Sequence, residues 1–174
     1  MANKQEEIFK QWLDEHKKLM FKVVKTYACS PADQDDLFQQ ILLQLWSSIP
    51  NFQGNAKETT WIYRVALNTA LVWKRGKVRK QRRHHKLIID FNGASDIQQS
   101  SCNSMRNDQI LGKLYGAIRQ LSKIDSSVVL MYLDGVSYDE MADILGISKS
   151  NVGVRLNRAK KKLAQLLKGI IDGF

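Results

Sequence analysis

Apolar residues recur at helical spacing along almost the whole chain, which predicts helices rather than strands. Between 5 and 28, Ile8, Trp12, Leu13, Leu19, Val23, Val24 and Tyr27 share one broad stripe. "SPADQDDLFQQILLQLW" follows at 30–46. Its Ser30 suits an N-cap, Pro31 suits the first helical position, and Asp33 can close a capping arrangement. Leu37, Phe38, Ile41, Leu42, Leu45 and Trp46 then form an apolar face too wide for a solvated helix. Pro50 and Gly54 break the pattern. A third helix is predicted over 60–83, its apolar face made of Trp61, Ile62, Val65, Ala66, Ala70, Leu71 and either Val72 or Trp73.

"LIIDFNGASDIQQSSCNS", 87–104, has no sustained period and is rich in Ser, Asn, Gln, Asp and Gly. It reads as a linker, although "KLIIDF" also fits a strand or a docking segment. Helical spacing resumes over 105–120, 123–134, 137–145 and 148–168. The expected fold is all-α: two small helical domains, 1–86 and 108–174, joined by a flexible linker at 87–107.

"SYDEMADILGISKSNVGVRLNRAKKKL", 137–163, has the layout of a helix-turn-helix. Ser137 and Glu140 stand at capping-box spacing. Gly146 can take the left-handed conformation that ends a helix. Ser148 caps the next one. Val152, Leu156, Ala159 and Leu163 mark its inner face. That leaves Lys149, Ser150, Asn151, Gly153, Val154, Arg155, Asn157 and Arg158 for the outer face. Arg and Asn are the residue types that make bidentate contacts to guanine and adenine.

Charge sharpens this picture. The 174 residues carry a net charge of +10, and "KRGKVRKQRRHHK" at 74–86 holds eight Lys or Arg and no acid. Dipole complementation at a helix C-terminus accounts for part of that run but not for eight cations. A polyanion is the expected partner. Upstream of the run, the loop from Phe52 to Thr60 and a helix with Trp61, Tyr63, Arg64, Asn68, Trp73 and Lys74 mix aromatics, amides and cations, a composition suited to unpaired DNA. Core packing accounts better for Trp61, and the Phe52 loop is the better candidate for meeting an extruded base. Cys29 and Cys102 lie far apart without metal-ligand spacing, and a reducing interior fits them better than a disulfide. The N-terminus lacks the apolar core of a signal peptide, and no stretch reaches the roughly 20 apolar residues of a membrane span. A cytoplasmic protein without membrane insertion is expected. The histidines, His16, His84 and His85, form no catalytic or metal-binding set, so no cofactor and no metal are expected.

Taken together, Asp35-Asp36-Leu37, Trp46, Phe52-x-Gly54, Thr60-Trp61-x-Tyr63-Arg64-x-Ala66-x-Asn68 and Arg155-Leu156-x-Arg158-Ala159 resemble an extracytoplasmic-function (ECF) sigma factor of the sigma-70 family. The stretch 32–75 resembles its region 2 and 121–163 its region 4. The resemblance implies a non-catalytic subunit that binds core RNA polymerase and directs it to promoter DNA. It assigns polymerase docking to Asp35, Asp36, Gln39, Gln40 and Gln44. It assigns the melted −10 strand to Phe52, Asn55, Lys57, Arg64, Asn68, Lys74 and Arg75, and the −35 duplex to the outer face of the last helix. An anti-sigma factor is a further implied partner. Two features depart from the family pattern. Leu121-Ser122 and Ser126 replace a Leu-Pro pair and an arginine, and Gly153 stands in the recognition helix. The −35 sequence read is therefore expected to differ from that of relatives. A stand-alone repressor would explain the helix-turn-helix but not 31–83. A recombinase would need a catalytic set that is missing. An RNA-binding protein is supported by charge alone.

Overall fold

In a computed structural model of the chain, the described residues are 2–89 and 109–171, with side chains described for 4–80 and 111–168. The first unit comprises α1 (Ala2–Tyr27), α2 (Pro31–Ser48), a 3-10 turn (Ile49–Asn51) and α3 (Glu58–Ile89). The second comprises α4 (Gln109–Arg119), α5 (Lys123–Leu133), α6 (Tyr138–Leu145) and α7 (Lys149–Ile171).

Local chemistry sets the helix ends. The Ser30 side chain accepts from the Asp33 amide at 3.1 Å, and Pro31 opens α2. From there Leu37, Ile41 and Leu45, spaced by four, are fully buried. They meet Trp12, Met20, Val23 and Val24 of α1 and Ile62, Tyr63, Ala66, Leu67 and Ala70 of α3. Of the two candidates near the end of the α3 stripe, Trp73 is the buried one, and its indole donates to Asp36 at 2.6 Å. Val72 points outward. Helix α3 runs through Ile89, so residues 87–89 continue a helix where the sequence predicted the start of the linker or a strand. The rest of the expected linker, with Cys102, lies outside the described residues.

Helix α5 is apolar nearly all round, and Ser126 to Met131 are all buried, as expected of a helix surrounded by neighbours. It sits among α4, α6, α7 and α1. The two serines that depart from the family pattern have structural roles here. Ser122 caps α5, accepting from the Asp125 amide at 3.2 Å. Ser126 is buried and donates to the Ile118 and Ser122 carbonyls at 2.8 and 3.0 Å.

Gly153 lies inside α7, and a Cβ built there would meet only Tyr138 Cε2, at 3.7 Å. That is ordinary van der Waals contact. Gly153→Ala should therefore stabilise the chain by about 1 kcal/mol through helix propensity, seen as a rise of a few degrees in the thermal midpoint. A drop would mean that close approach of another group, not backbone freedom, selects the glycine.

Candidate nucleic-acid interface

The helix-turn-helix forms as its caps dictate. Ser137 Oγ accepts from the Glu140 amide at 3.3 Å, and the Glu140 carboxylate accepts from the Ser137 amide at 3.0 Å, completing the capping box. Gly146 ends α6 with φ of 66°. Ser148 Oγ accepts from the Asn151 amide at 3.2 Å and starts α7. With Val152, Leu156, Ala159 and Leu163 buried, Ser150, Asn151, Val154, Asn157 and Arg158 stand exposed on the outer side. Val154 is 49% exposed, an apolar group fit for a thymine methyl.

Three of the predicted residues are placed differently from the rest. Arg155 is half-buried and its Nη1 donates to Asp125 at 2.9 Å, tying α7 to the start of α5. Lys149 pairs with Asp139 at 2.8 Å. Gly153 faces Tyr138. The lysine run that follows is partly engaged within the unit. Lys160 lies over the Tyr132 ring at 3.8 Å, and Lys162 donates to the Gln120 carbonyl at 3.1 Å.

On the first unit, Gly54 turns the loop with φ of 74°. Phe52 is half-buried, edge-on to Trp12 at 5.2 Å and tilted against Trp61 at 5.6 Å. It anchors the loop rather than standing free. Trp61 donates to Ser48 Oγ at 3.1 Å, consistent with the core role read from its spacing. Asn55 and Lys57 are exposed. Lys74 lies 5.7 Å from the Tyr27 ring centre, and Arg75 is exposed. Lys77 pairs with Asp33 and lies over Trp73, so the first turns of the basic run also fasten α3 to α2.

Asp35, Asp36, Gln39, Gln40 and Gln44 all lie on the exposed side of α2. An open pocket of about 440 Å³ between α2 and α3 is lined by Gln40, Leu43, Gln44, Asn68, Thr69 and Val72. Candidate polymerase contacts and a candidate strand contact thus share one concavity. Leu43 and Val72, at 65% and 62% exposed, border it. The sequence signal for Leu43 was an apolar residue off the buried stripe of its helix, and for Val72 it was the choice left open with Trp73. Among the described residues, Glu15, His16 and Glu58 bring ligand atoms within 4.8 Å of one another. His16 Nε2 is 3.9 and 4.0 Å from the two carboxylates, wider than the ~3.4 Å between tetrahedral ligands of a cation at ~2.1 Å.

Glu140 has a further role, because Lys57 of the loop pairs with it at 2.9 Å. Lys57 first, then Ser137, holds its pKa down at about 2. A depressed carboxylate pKa contributes stability above the unfolded value of 4.5 that is lost as pH falls towards 2. Wild-type stability should therefore decline over that window more steeply than that of Glu140→Gln, in thermal melts taken from pH 6 to about 2. Solvent screening of this surface pair keeps the difference small.

Residues 12–83 match the family described as sigma-70 region 2, and 111–163 match sigma-70, region 4. The chain is 25% identical over 168 residues to RNA polymerase sigma factor NccH of Alcaligenes xylosoxydans xylosoxydans, covering 91% of this chain and 86% of that one. It is 25% identical over 148 residues to the ECF RNA polymerase sigma-E factor of Escherichia coli K12, covering 80% and 76%. Its fold is similar to the sigma factor RpoE in complex with the anti-sigma factor NepR from Bartonella quintana, with a TM-score of 0.66, 20% identity, and coverage of 93% and 98%. CnrH in complex with the cytosolic domain of CnrY is similar too, at 0.66 and 20%, covering 94% and 90%. The chain belongs to the sigma-70 family of transcription initiation factors, as a member of the ECF group. No helix among the described residues is long and apolar enough to cross a membrane.

Proposed function

We propose that this protein binds core RNA polymerase and directs promoter-specific initiation, with α7 reading −35 duplex and the segment from Phe52 to Arg75 holding the melted −10 strand. The domains carrying these roles are 1–86 and 108–174, joined by 87–107. The observation that carries the reading is the outer stripe of α7, where Ser150, Asn151, Val154, Asn157 and Arg158 are exposed directly opposite a buried Val152–Leu156–Ala159 seam. Such a helix enters a major groove with its N-terminal residues towards base edges. On the first unit, unpairing and unstacking a base costs a few kcal/mol. Asn68, at the pocket wall, offers an amide for a base edge. Arg64, Lys57, Lys74 and Arg75 supply charge for the backbone. Asp35, Asp36 and Gln39 face outward beside the pocket, for the polymerase.

The protein performs no reaction of its own in this reading, because RNA synthesis belongs to the polymerase. It acts in the cytoplasm, without metal or cofactor. Support for an anti-sigma partner comes from the similar structure of RpoE, a sigma factor in complex with the anti-sigma factor NepR. In vitro transcription with core polymerase tests the function: initiation from a defined promoter should depend on adding this chain. Stable duplex binding by the free protein, with no effect on core polymerase, would instead show a repressor.

A further inference from the structure

Gly153 leaves a gap in the face of α7 that borders α6. It stands in one i, i+4 row with Lys149 and Asn157. Beyond its own stretch of helix, a Cβ at 153 would meet a single atom within 4 Å, Tyr138 Cε2 at 3.7 Å. Packing within the unit therefore does not account for a glycine here, the least favourable helical residue after proline. Tyr138 opens α6 and is 37% exposed, and its hydroxyl makes no hydrogen bond among the described residues. Next along α7, Val154 is an exposed apolar group. Cations are scarce at this end of the helix. Lys149 pairs with Asp139 of α6, and Arg155 is drawn back to Asp125. With those two engaged, the first two turns expose Ser150, Asn151 and Val154.

We propose that Gly153 and Tyr138 form a notch for the C5-methyl of a thymine in the −35 duplex, with Tyr138 a specificity-determining residue supplied by α6 rather than α7. This role rests on the −35 reading given above. The thymine methyl is the one apolar group that base pairs present in the major groove. The notch offers it matching surroundings: the edge of an aromatic ring, bare helix backbone at 153, and Val154 beside them. No side-chain charge stands at 153 to draw a phosphate or the acceptors of a guanine instead. Asn151 and Asn157 are exposed to either side of the notch, and asparagine is the residue type that pairs with adenine. The base pairs under the start of α7 are therefore A·T, not the G·C pairs that an arginine selects.

Replacing thymine by deoxyuridine removes the methyl and nothing else. Holoenzyme assembled from core polymerase and the full chain first selects from fragments of a defined promoter randomised across the −35 element. The selected sequence is then remade with one thymine at a time replaced by deoxyuridine. Holoenzyme binding should weaken about three- to fourfold at one position, the effect of one buried methyl. Gly153→Lys adds a cation, so plain electrostatics predicts tighter binding to every duplex. The notch predicts in addition that the preference for thymine over deoxyuridine disappears at that position. Tyr138→Ala should erase it too. Tyr138→Phe should keep it, because the ring and not the hydroxyl meets the methyl. The two bases are compared within each variant, so a loss of folded protein lowers both values and leaves their ratio unmoved. Equal binding of thymine and deoxyuridine at every position would overturn the notch and leave the sequence preference of α7 in place. A methyl effect that survived either Gly153→Lys or Tyr138→Ala would also overturn it, placing the methyl against other residues of α7. A pool that emerged with no −35 preference would sink the α7 reading itself, and the notch with it.

Discussion

Trp12→Ala is expected to destabilise the first helical unit by about 3–5 kcal/mol, as removal of a large buried aromatic does. Trp12 is 1% exposed and packs edge-on against Phe52. Phe52 in turn leans on Trp61, whose indole is pinned to Ser48. One substitution therefore removes core volume and the footing of the loop that carries Asn55 and Lys57. Against a typical total of 5–15 kcal/mol, that loss removes a large share of the unit's stability. Binding to core polymerase and to single-stranded DNA should fall with it. Trp12→Phe separates the two effects. It keeps a ring against Phe52 and discards an indole N–H that has no acceptor among the described residues. An unpaired buried donor costs about 1–3 kcal/mol, so the phenylalanine variant should lose less than half as much. Denaturant unfolding followed by circular dichroism measures both. A loss under about 1 kcal/mol for Trp12→Ala would show that the loop and core repack without the ring.

The helix ends were legible because their causes are local. Ser30, Ser137 with Glu140, and Gly146 each act within four residues, and each does in the structure what its spacing foretold. The buried seam of α7 was equally plain, since Val152, Leu156, Ala159 and Leu163 keep helical spacing. Residues with distant partners were harder. Tyr63 reads in sequence as an aromatic among cations, fit for stacking, yet it is fully buried with its hydroxyl on Asp134. Asp134 carried no signal at all, because its side-chain partners lie 112 and 71 residues upstream. Phe52 sits in a loop, where no periodicity marks a residue as packed. Arg155 borders the buried stripe, at a position where periodicity alone leaves both directions open. The pocket between α2 and α3 draws residues from two helices, so only its apolar rim at Leu43 and Val72 left a mark in either one.

Arg158→Ala should cut promoter-specific transcription about 10- to 100-fold, the effect of losing about 1–3 kcal/mol of base discrimination. Arg158 is exposed on the outer stripe of α7 and makes no hydrogen bond or ion pair among the described residues. Thermal stability should therefore shift by no more than about 0.5 kcal/mol. Arg155→Ala, only three residues away, should behave in the reverse manner. Its guanidinium bridges to Asp125, which also accepts from Ser122 Oγ at 2.6 Å, and both partners are largely shielded, at 30% and 23% exposed. Breaking that link should cost about 1–2 kcal/mol of stability in the second unit. At temperatures where the variant is folded, it should retain base preference. The measurement is holoenzyme transcription from promoters altered one base pair at a time across the −35 element, beside thermal melts of each variant. Arg158→Ala should flatten discrimination at one position. If Arg155→Ala flattened it instead, while melting like the wild type, the ion pair with Asp125 would have to give way on duplex DNA. The reading face of α7 would then centre one turn-edge closer to its buried side.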